Sequence, residues 1–260
     1  MKKVGLNHLV IAALAISAAF TSCGGGGEDY IGDKVQLLET ITSHINGSYT
    51  IKYEYDNLNR IIGISEYDSN ENRGSKTTTF SYSGNDLVKI VSKTINNPEH
   101  VLTTEYSKNG NRITMMEETN DSGYIQTSTI NLNDEGFPTK FETIFENGSS
   151  MVRTYQIQNN NLTKHSYIHT GISEISTDYK YDNNKSPFYH CNTPKWHFII
   201  HMGLVGNVVY CGQNNVTEIS TDGGRMIEYE YEYNSAGFPT KCTISGAILG
   251  GENVTTFKYR

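Results

Sequence analysis

Beyond residue 22 this 260-residue chain contains only two alanines, Ala236 and Ala247. Alanine is the strongest helix former, so its near absence excludes a helical bundle and argues against a doubly wound α/β enzyme. Positive charge is also short, with 21 Lys+Arg against 28 Asp+Glu and a formal net charge of -7. Such a chain repels phosphate backbones, which argues against nucleic acid as a partner. The longest apolar run, Leu9 to Phe20, is too short to span a bilayer as a helix. Thr, Ile, Tyr and Asn fill the space that alanine leaves; the first three favour strands and Asn favours turns.

The N-terminus reads as an address. Lys2 and Lys3 form a positive n-region ahead of the Leu9–Phe20 apolar run, the order expected of a secretory signal over residues 1–22. The string F-T-S-C at Phe20–Cys23 follows, then Gly24 to Gly27, Glu28 and Asp29. F-T-S-C resembles a bacterial lipobox, with Phe20 in place of the usual aliphatic residue. The resemblance implies cleavage before Cys23, lipidation of Cys23 and anchoring to the outer membrane through a flexible tether over residues 23–34. Each buried acyl CH₂ contributes about 0.8 kcal/mol, so two or three chains hold a protein durably. The acidic pair after the glycines is similar to the surface-export signals of Bacteroidetes lipoproteins, in a short form. Cys191, Cys211 and Cys242 remain, an odd number that leaves at least one unpaired. A bridge between Cys191 and Cys211 would contribute about 3 kcal/mol by loop entropy.

From residue 35 onward the chain repeats itself. G-F-P-T-K occurs at Gly136–Lys140 and again at Gly237–Lys241. The frames around these strings align with one another and with Tyr55–Arg60 and Tyr106–Gly110, and weaker copies begin at Tyr82, Ile157 and Tyr181. The period is roughly 25 residues, the size of one β-hairpin. Each anchor ends a strand and opens a turn in which Asn, Asp or Gly supplies left-handed backbone. Between anchors the chain alternates with period two. Ile51, Tyr53 and Tyr55 oppose Lys52 and Glu54, and Ile227, Tyr229, Tyr231 and Tyr233 oppose Glu228, Glu230 and Glu232. The same rule puts Phe137, Thr139, Phe141, Thr143 and Phe145 on one face, and Lys89 and Lys93 with Leu87 and Val91. The expected fold is all-β: an antiparallel hairpin meander of about 16 strands forming a single curved, barrel-like sheet over residues 35–260.

Y-E-Y-D-x-L-N-R-I at residues 53–61 resembles the tyrosine–aspartate repeats of bacterial wall-associated and toxin-shell proteins, which build curled β-sheets. Over roughly residues 35–260, the repeated Y-x-Y-D/N turns, G-F-P-T-K and Tyr181–Phe188 resemble a Bacteroidetes lipoprotein family of unknown function with a porin-like fold. That resemblance implies a barrel-like sheet and carries no activity and no catalytic residues. A membrane-spanning barrel is disfavoured because charge falls on both strand faces: Arg112 and Glu118 share one face of their strand while Glu117 lies on the other.

Residues 186–215 break the repeat. Lys195–Tyr210 reads K-W-H-F-I-I-H-M-G-L-V-G-N-V-V-Y, with Pro194 placed to start a helix. A short helix or plug near 194–206 is expected to fill the interior that a curled sheet leaves. Trp196, His197, His201 and Tyr210 are the candidate pocket residues. Cys191, His197, His201 and Cys211 match no zinc motif in their spacing, and no metal or cofactor is expected. His165 and His169 read as solvated neighbours on one strand face. Glu228, Glu230 and Glu232 read as a solvated face that discourages edge aggregation, and no nucleophile elbow is present. The expectation is a non-enzymatic outer-membrane lipoprotein that binds a glycan or a protein partner, facing either the surface or the periplasm. The alternative is a periplasmic structural or lipid-handling lipoprotein with a continuous apolar interior, and a hydrolase using acidic residues stands behind both.

Overall fold

The tight turn that opens each repeat is built the same way three times. Asp56, Asn133 and Asn234 each use one side-chain oxygen to accept two backbone N–H groups, two and four residues on, at 2.9–3.1 Å. Their own N–H groups donate to the carbonyls of Arg60, Phe137 and Phe238. The third residue after each anchor is left-handed: Asn59 at φ 60°, Gly136 at φ 81° and Gly237 at φ 79°. An L side chain pays sterically for that conformation, which is why Gly or Asn stands there.

A computed structural model of the chain describes residues 34–44, 48–69, 75–201, 203–205, 208–210, 212–222, 224, 226–246 and 253–260, with backbone alone at 98, 203–205 and 208–210. Cys23 and the signal and tether residues 1–33 lie outside the described residues. Val35–Arg260 form one compact unit.

The strands run in chain order as β1 (Leu38–His44), β2 (Ser48–Tyr55), β3 (Ile61–Asp68), β4 (Lys76–Ser83), β5 (Asp86–Thr94) and β6 (Asn97–Asn109). Next come β7 (Arg112–Thr119), β8 (Ile125–Leu132), β9 (Pro138–Ile144), β10 (Ser150–Gln158), β11 (Asn161–His169) and β12 (Ile175–Lys185). Helix α1 (Lys195–Ile200) and a small hairpin, β13 (Gly203–Val205) with β14 (Val208–Tyr210), interrupt the series. It resumes with β15 (Asn214–Thr221), β16 (Met226–Tyr233), β17 (Pro239–Gly246) and β18 (Asn253–Tyr259). All but β13 and β14 pair antiparallel with their neighbours, and β18 pairs with β1, closing a barrel of 16 strands. The expected all-β meander is therefore a closed ring with one short helix. Closure leaves no sheet edge to template aggregation.

Register and burial together separate the two faces. Ile51, Tyr53 and Tyr55 are buried while Lys52 and Glu54 between them are exposed. The outer wall carries ion pairs directly across strands, Lys89–Glu105 and Lys180–Glu218 at 2.9 Å and Lys241–Glu232 at 2.7 Å. Being exposed, each contributes only about 0–1 kcal/mol. Glu228 and Glu230 stand on this outer wall too, in register with Ser245 and Thr243.

Two alternation readings are corrected by bulges. Beside five of the tight turns the outgoing strand carries one extra residue. Tyr82 pairs with Leu87 but Ser81 with Lys89; Leu132 pairs with Pro138 but Asn131 with Lys140. The hairpins at β2–β3, β10–β11 and β16–β17 shift identically. Phase therefore flips at the bulge. Leu87 faces inward with Ile90 and Ser92, while Lys89, Val91 and Lys93 face outward. Thr139 is exposed and does not share the face of Phe141 and Thr143. The bulge threonines have a use: the hydroxyls of Thr139, Thr163 and Thr240 each donate to a carbonyl of the facing strand at 3.2 Å.

Four inward tyrosines tie adjacent strands together at this end. Tyr55, Tyr82, Tyr181 and Tyr259 sit at or near strand ends and donate to the carbonyls of Leu38, Ile61, Leu162 and Pro239, at or near the start of the preceding strand, at 2.6–2.9 Å. The ring fills the interior while the hydroxyl satisfies a backbone acceptor that water does not reach. Further along the strands the inward residues turn polar, in facing pairs such as Thr78 with Ser92 at 3.0 Å and Ser128 with Thr143 at 2.7 Å. The barrel thus has an apolar, tyrosine-rich end and a hydroxyl-lined end.

Asn133→Ala and Asn234→Ala each remove one acceptor for two backbone donors and are expected to destabilise by about 1 kcal/mol. Gly136→Ala and Gly237→Ala place a Cβ at positive φ and are expected to cost about 1–2 kcal/mol. Urea unfolding midpoints measure both, and Glu135→Ala, an exposed turn position, is expected to leave the midpoint unchanged.

Candidate functional site

The described residues 186–201 enter the tyrosine-rich end, and Asn192 and Thr193 tie them to the wall. Ser186 N–H donates to the Gln213 carbonyl at 2.9 Å, and Asn192 donates to the carbonyls of Asn59 and Leu58 at 2.9 and 2.8 Å. The Thr193 hydroxyl accepts the Ile61 N–H at 2.9 Å. These bonds engage the β2–β3 turn, so the plug and the first repeat hold each other in place. Pro194 caps α1 with extended backbone, φ −50° and ψ 128°, as a residue that has no N–H to lose.

A helix of six residues does not stand alone in water, so packing must hold this one. Trp196 meets Tyr106 edge-on with ring centroids 5.0 Å apart, and His197 meets Phe80 at 5.5 Å. Phe198 packs on Phe188 at 4.9 Å, and Phe188 on Tyr53 at 5.2 Å. Trp196, Ile199 and Ile200 are buried. The helix therefore touches wall strands β4 and β6 directly and reaches β2 through Phe188, and it fills the apolar end. The interior is not one continuous apolar tube.

Two hollows remain, one on each side of the helix. The outer one, about 290 Å³, opens at the plugged end between Phe137, Phe188, Tyr189, Phe198, Asn160 and Gln213, with Cys191, Thr193, Lys195, Ile199 and Gly212 completing it. Its amides are linked: Asn160 Nδ2 donates to Gln213 Oε1 at 3.0 Å and Gln213 Nε2 to the Tyr189 hydroxyl at 3.4 Å. Lys195 lays its ammonium over the Phe137 ring, 4.7 Å from the centroid. Gly212 bridges to Asn161 so closely that any Cβ there would run into that side chain. The inner hollow, about 300 Å³, lies within the barrel beneath the helix and is lined by Ile200 and His201 together with residues of β7–β10.

Three of the four sequence-predicted pocket residues are described and stand side by side: the His197 ring centroid lies 6.0 Å from that of Trp196 and 4.7 Å from that of His201. Trp196 and His197 point into the wall and belong to the core. His201 is surrounded by protein yet open to solvent, because it faces the inner hollow; its Nε2 lies 3.0 Å from the Tyr106 hydroxyl. The side chain of Tyr210 lies outside the described residues. So does Cys211; Cys191 carries a free thiol that burial pushes upward in pKa, and Cys242 is buried in the barrel wall and pushed up to about 12. Among the described residues, no three His, Cys, Asp or Glu side chains gather as metal ligands do.

Three histidines are held neutral by the interior. Burial depresses His201 to about 4, aided by the charges of Arg153 and Lys76. His197 is driven well below its ordinary value by burial and by His201, whose ring centroid is 4.7 Å away. His165, expected to be solvated, instead faces inward, with Nδ1 2.9 Å from the Tyr179 hydroxyl; burial and Arg153 lower it to about 4.

No protein-family model matches the sequence, and no curated protein matches it. Among solved structures the chain is similar to a porin-like protein from Bacteroides uniformis ATCC 8492, at 14% identity over 86% of this chain and 98% of that one, with a TM-score of 0.41. It is also similar to a porin-like protein from Bacteroides vulgatus ATCC 8482, at 12% identity over 87% and 99% of the two chains, with a TM-score of 0.40.

The histidines make stability depend on pH with a definite sign. Unfolded, each takes a proton near pH 6.5; folded, His165 and His201 resist until about 4. The unfolded chain therefore binds more protons between those limits, and stability falls as pH drops from 6.5 toward 4. Thermal melts from pH 7.5 to 5.5 are expected to show a falling Tm. The double variant His165→Asn, His201→Asn is expected to show a shallower fall, and an unchanged slope would refute this assignment.

Proposed function

We propose that the protein is an outer-membrane-anchored lipoprotein that works as a non-enzymatic binding module, with a glycan as the occupant of the outer hollow. The N-terminal string F-T-S-C followed by four glycines supports the lipid anchor at Cys23. The charged outer wall supports an anchor rather than a wall immersed in lipid, since a Lys at the bilayer midplane costs roughly 2–4 kcal/mol. Anchored in this way, the chain belongs to the cell envelope, with its barrel in water.

The observation that carries the binding reading is the composition of the outer hollow. Four rings, Phe137, Phe188, Tyr189 and Phe198, stand around the linked amides of Asn160 and Gln213. Rings offer flat apolar faces to the C–H side of a sugar, and amides offer a donor and an acceptor to its hydroxyls. No nucleophile with an aligned base is among the residues of either hollow, which supports a binding role over a hydrolytic one.

Two measurements test this. Cys23→Ala is expected to lose incorporation of labelled fatty acid and to leave the membrane fraction, and a variant that stays membrane-bound refutes the anchor. Protease treatment of intact cells then assigns the face: rapid loss means surface display, and protection until lysis means a periplasmic site. For the ligand, isothermal titration of the mature chain against host and dietary glycans is expected to find binding that Tyr189→Ala weakens at least tenfold. A complete absence of glycan binding refutes that part of the proposal.

A further inference from the structure

We propose that the inner hollow is a second binding site, for a small amphipathic carboxylate, with the Arg153 guanidinium as its anion partner. This goes beyond the outer hollow and does not depend on it.

Arg153 sits on the inward face of β10. In register it lies between Phe141 of β9 and Tyr167 of β11, and both rings flank its guanidinium, at 5.7 and 5.9 Å from their centroids. Among the described residues no carboxylate lies within ion-pairing distance of it. By contrast, Arg60 pairs with Asp56 at 2.6 Å, and Lys76, also inward, with Glu66 at 3.9 Å. A half-buried guanidinium held between two ring faces lines the hollow without a protein anion beside it.

The groups that face Arg153 supply no negative charge. His165 and His201 are both neutral at physiological pH, and Tyr155 stays protonated because burial pushes it up to about 12. The one carboxylate in the hollow, Glu117, lies on β7, three strands away, and stands opposite Thr104 of β6. In register it belongs two rows nearer the far rim than Arg153. An anion is therefore drawn to the deep end of the hollow, against the helix, and not to its mouth.

The rest of the lining describes the body of the ligand. Met115, Phe141, Phe145, Met151 and Ile200 form an apolar surface beside Arg153. Methionine adapts to irregular apolar shapes. At about 300 Å³ the hollow lies at the lower end of the range for small-molecule sites, roughly 300–1,000 Å³. A carboxylate suits the planar fork of arginine, which donates to both of its oxygens at once. The hollow also lies toward the end of the barrel away from Leu38, where the chain enters β1 beside Tyr259.

Octanoate and 1-octanol share a body and differ in charge, so they test the assignment. By isothermal titration at pH 7.5 the mature chain is expected to bind octanoate at least tenfold more tightly than 1-octanol. Arg153→Gln is expected to weaken octanoate at least tenfold and to leave 1-octanol unchanged. Arg153→Lys is expected to fall between, and Arg112→Gln, on the outer wall, to match the parent. Equal binding of acid and alcohol, octanoate binding that survives Arg153→Gln, or no octanoate binding at millimolar concentration overturns the proposal. If circular dichroism shows Arg153→Gln unfolded, the acid-to-alcohol ratio of the parent chain decides. Tyr189→Ala is expected to leave octanoate binding intact, so failure at one hollow is distinguishable from failure at the other.

Discussion

The space enclosed by sixteen strands is the constraint on which the rest of this structure depends. A ring of about eight strands is narrow enough for wall side chains to fill, whereas 16–18 strands leave an open channel in porins. Here the outer face carries Lys and Glu paired across strands, and the apolar burial that stabilises the ring lies inside it. That requirement explains the residue types at the repeat anchors. Tyrosine reaches further inward than valine or isoleucine, and its hydroxyl answers a strand-end carbonyl, as Tyr55 does at Leu38. It also explains why one repeat is interrupted: a meander alone offers nothing to fill its centre, and Ser186–Gln213 brings in Phe188, Trp196, Ile199 and Ile200.

Much of this was legible from the residues. The 25-residue period, the Asx-anchored turns and the tyrosine phase of β2 and β16 follow from alternation and turn chemistry that operate locally. Closure was not legible, because the β1–β18 pairing joins residues at opposite ends of the unit, and no local signal sets it. The phase errors at Leu87 and Thr139 share one cause. A bulge inserts a single residue, and a period-two reading carried through it assigns everything on one side to the wrong face. The signal was present in the repeated P-T at Pro138-Thr139 and Pro239-Thr240, where a proline opens the strand and a threonine hydroxyl bonds back across it.

The sites divide in the same way. That the interrupted segment would fill the barrel follows from its apolar content, but the phase of a six-residue helix against a surrounding wall does not. The structure turns Trp196 and His197 into the core and gives the outer hollow to Lys195, Phe198 and Ile199. Arg153 passed unnoticed for a different reason. Met151, Arg153, Tyr155 and Ile157 alternate with Val152, Thr154 and Gln156, which puts an arginine in phase with the apolar face. Glu117 keeps the same phase as Ile113 and Met115 on β7. Charge on the core phase of a strand is the pattern that points to a lined interior rather than a packed one.

The two ends of the barrel therefore answer different demands. At the plugged end the hairpins other than β12–β15 close through tight turns, and strand-end tyrosines and plug hydrogen bonds lock the wall; Leu37 and Arg260 are bonded to each other there through their backbones. Burial is concentrated in that half, so the other half is free to keep polar groups facing inward without threatening the fold. Hydroxyl pairs such as Ser128–Thr143 satisfy each other across adjacent strands and ask nothing of a ligand. Arg153 is the exception, since neither its strand neighbours nor the helix above supplies an anion. The guanidinium faces the inner hollow with donors to spare, and a carboxylate from outside the chain would complete the pair.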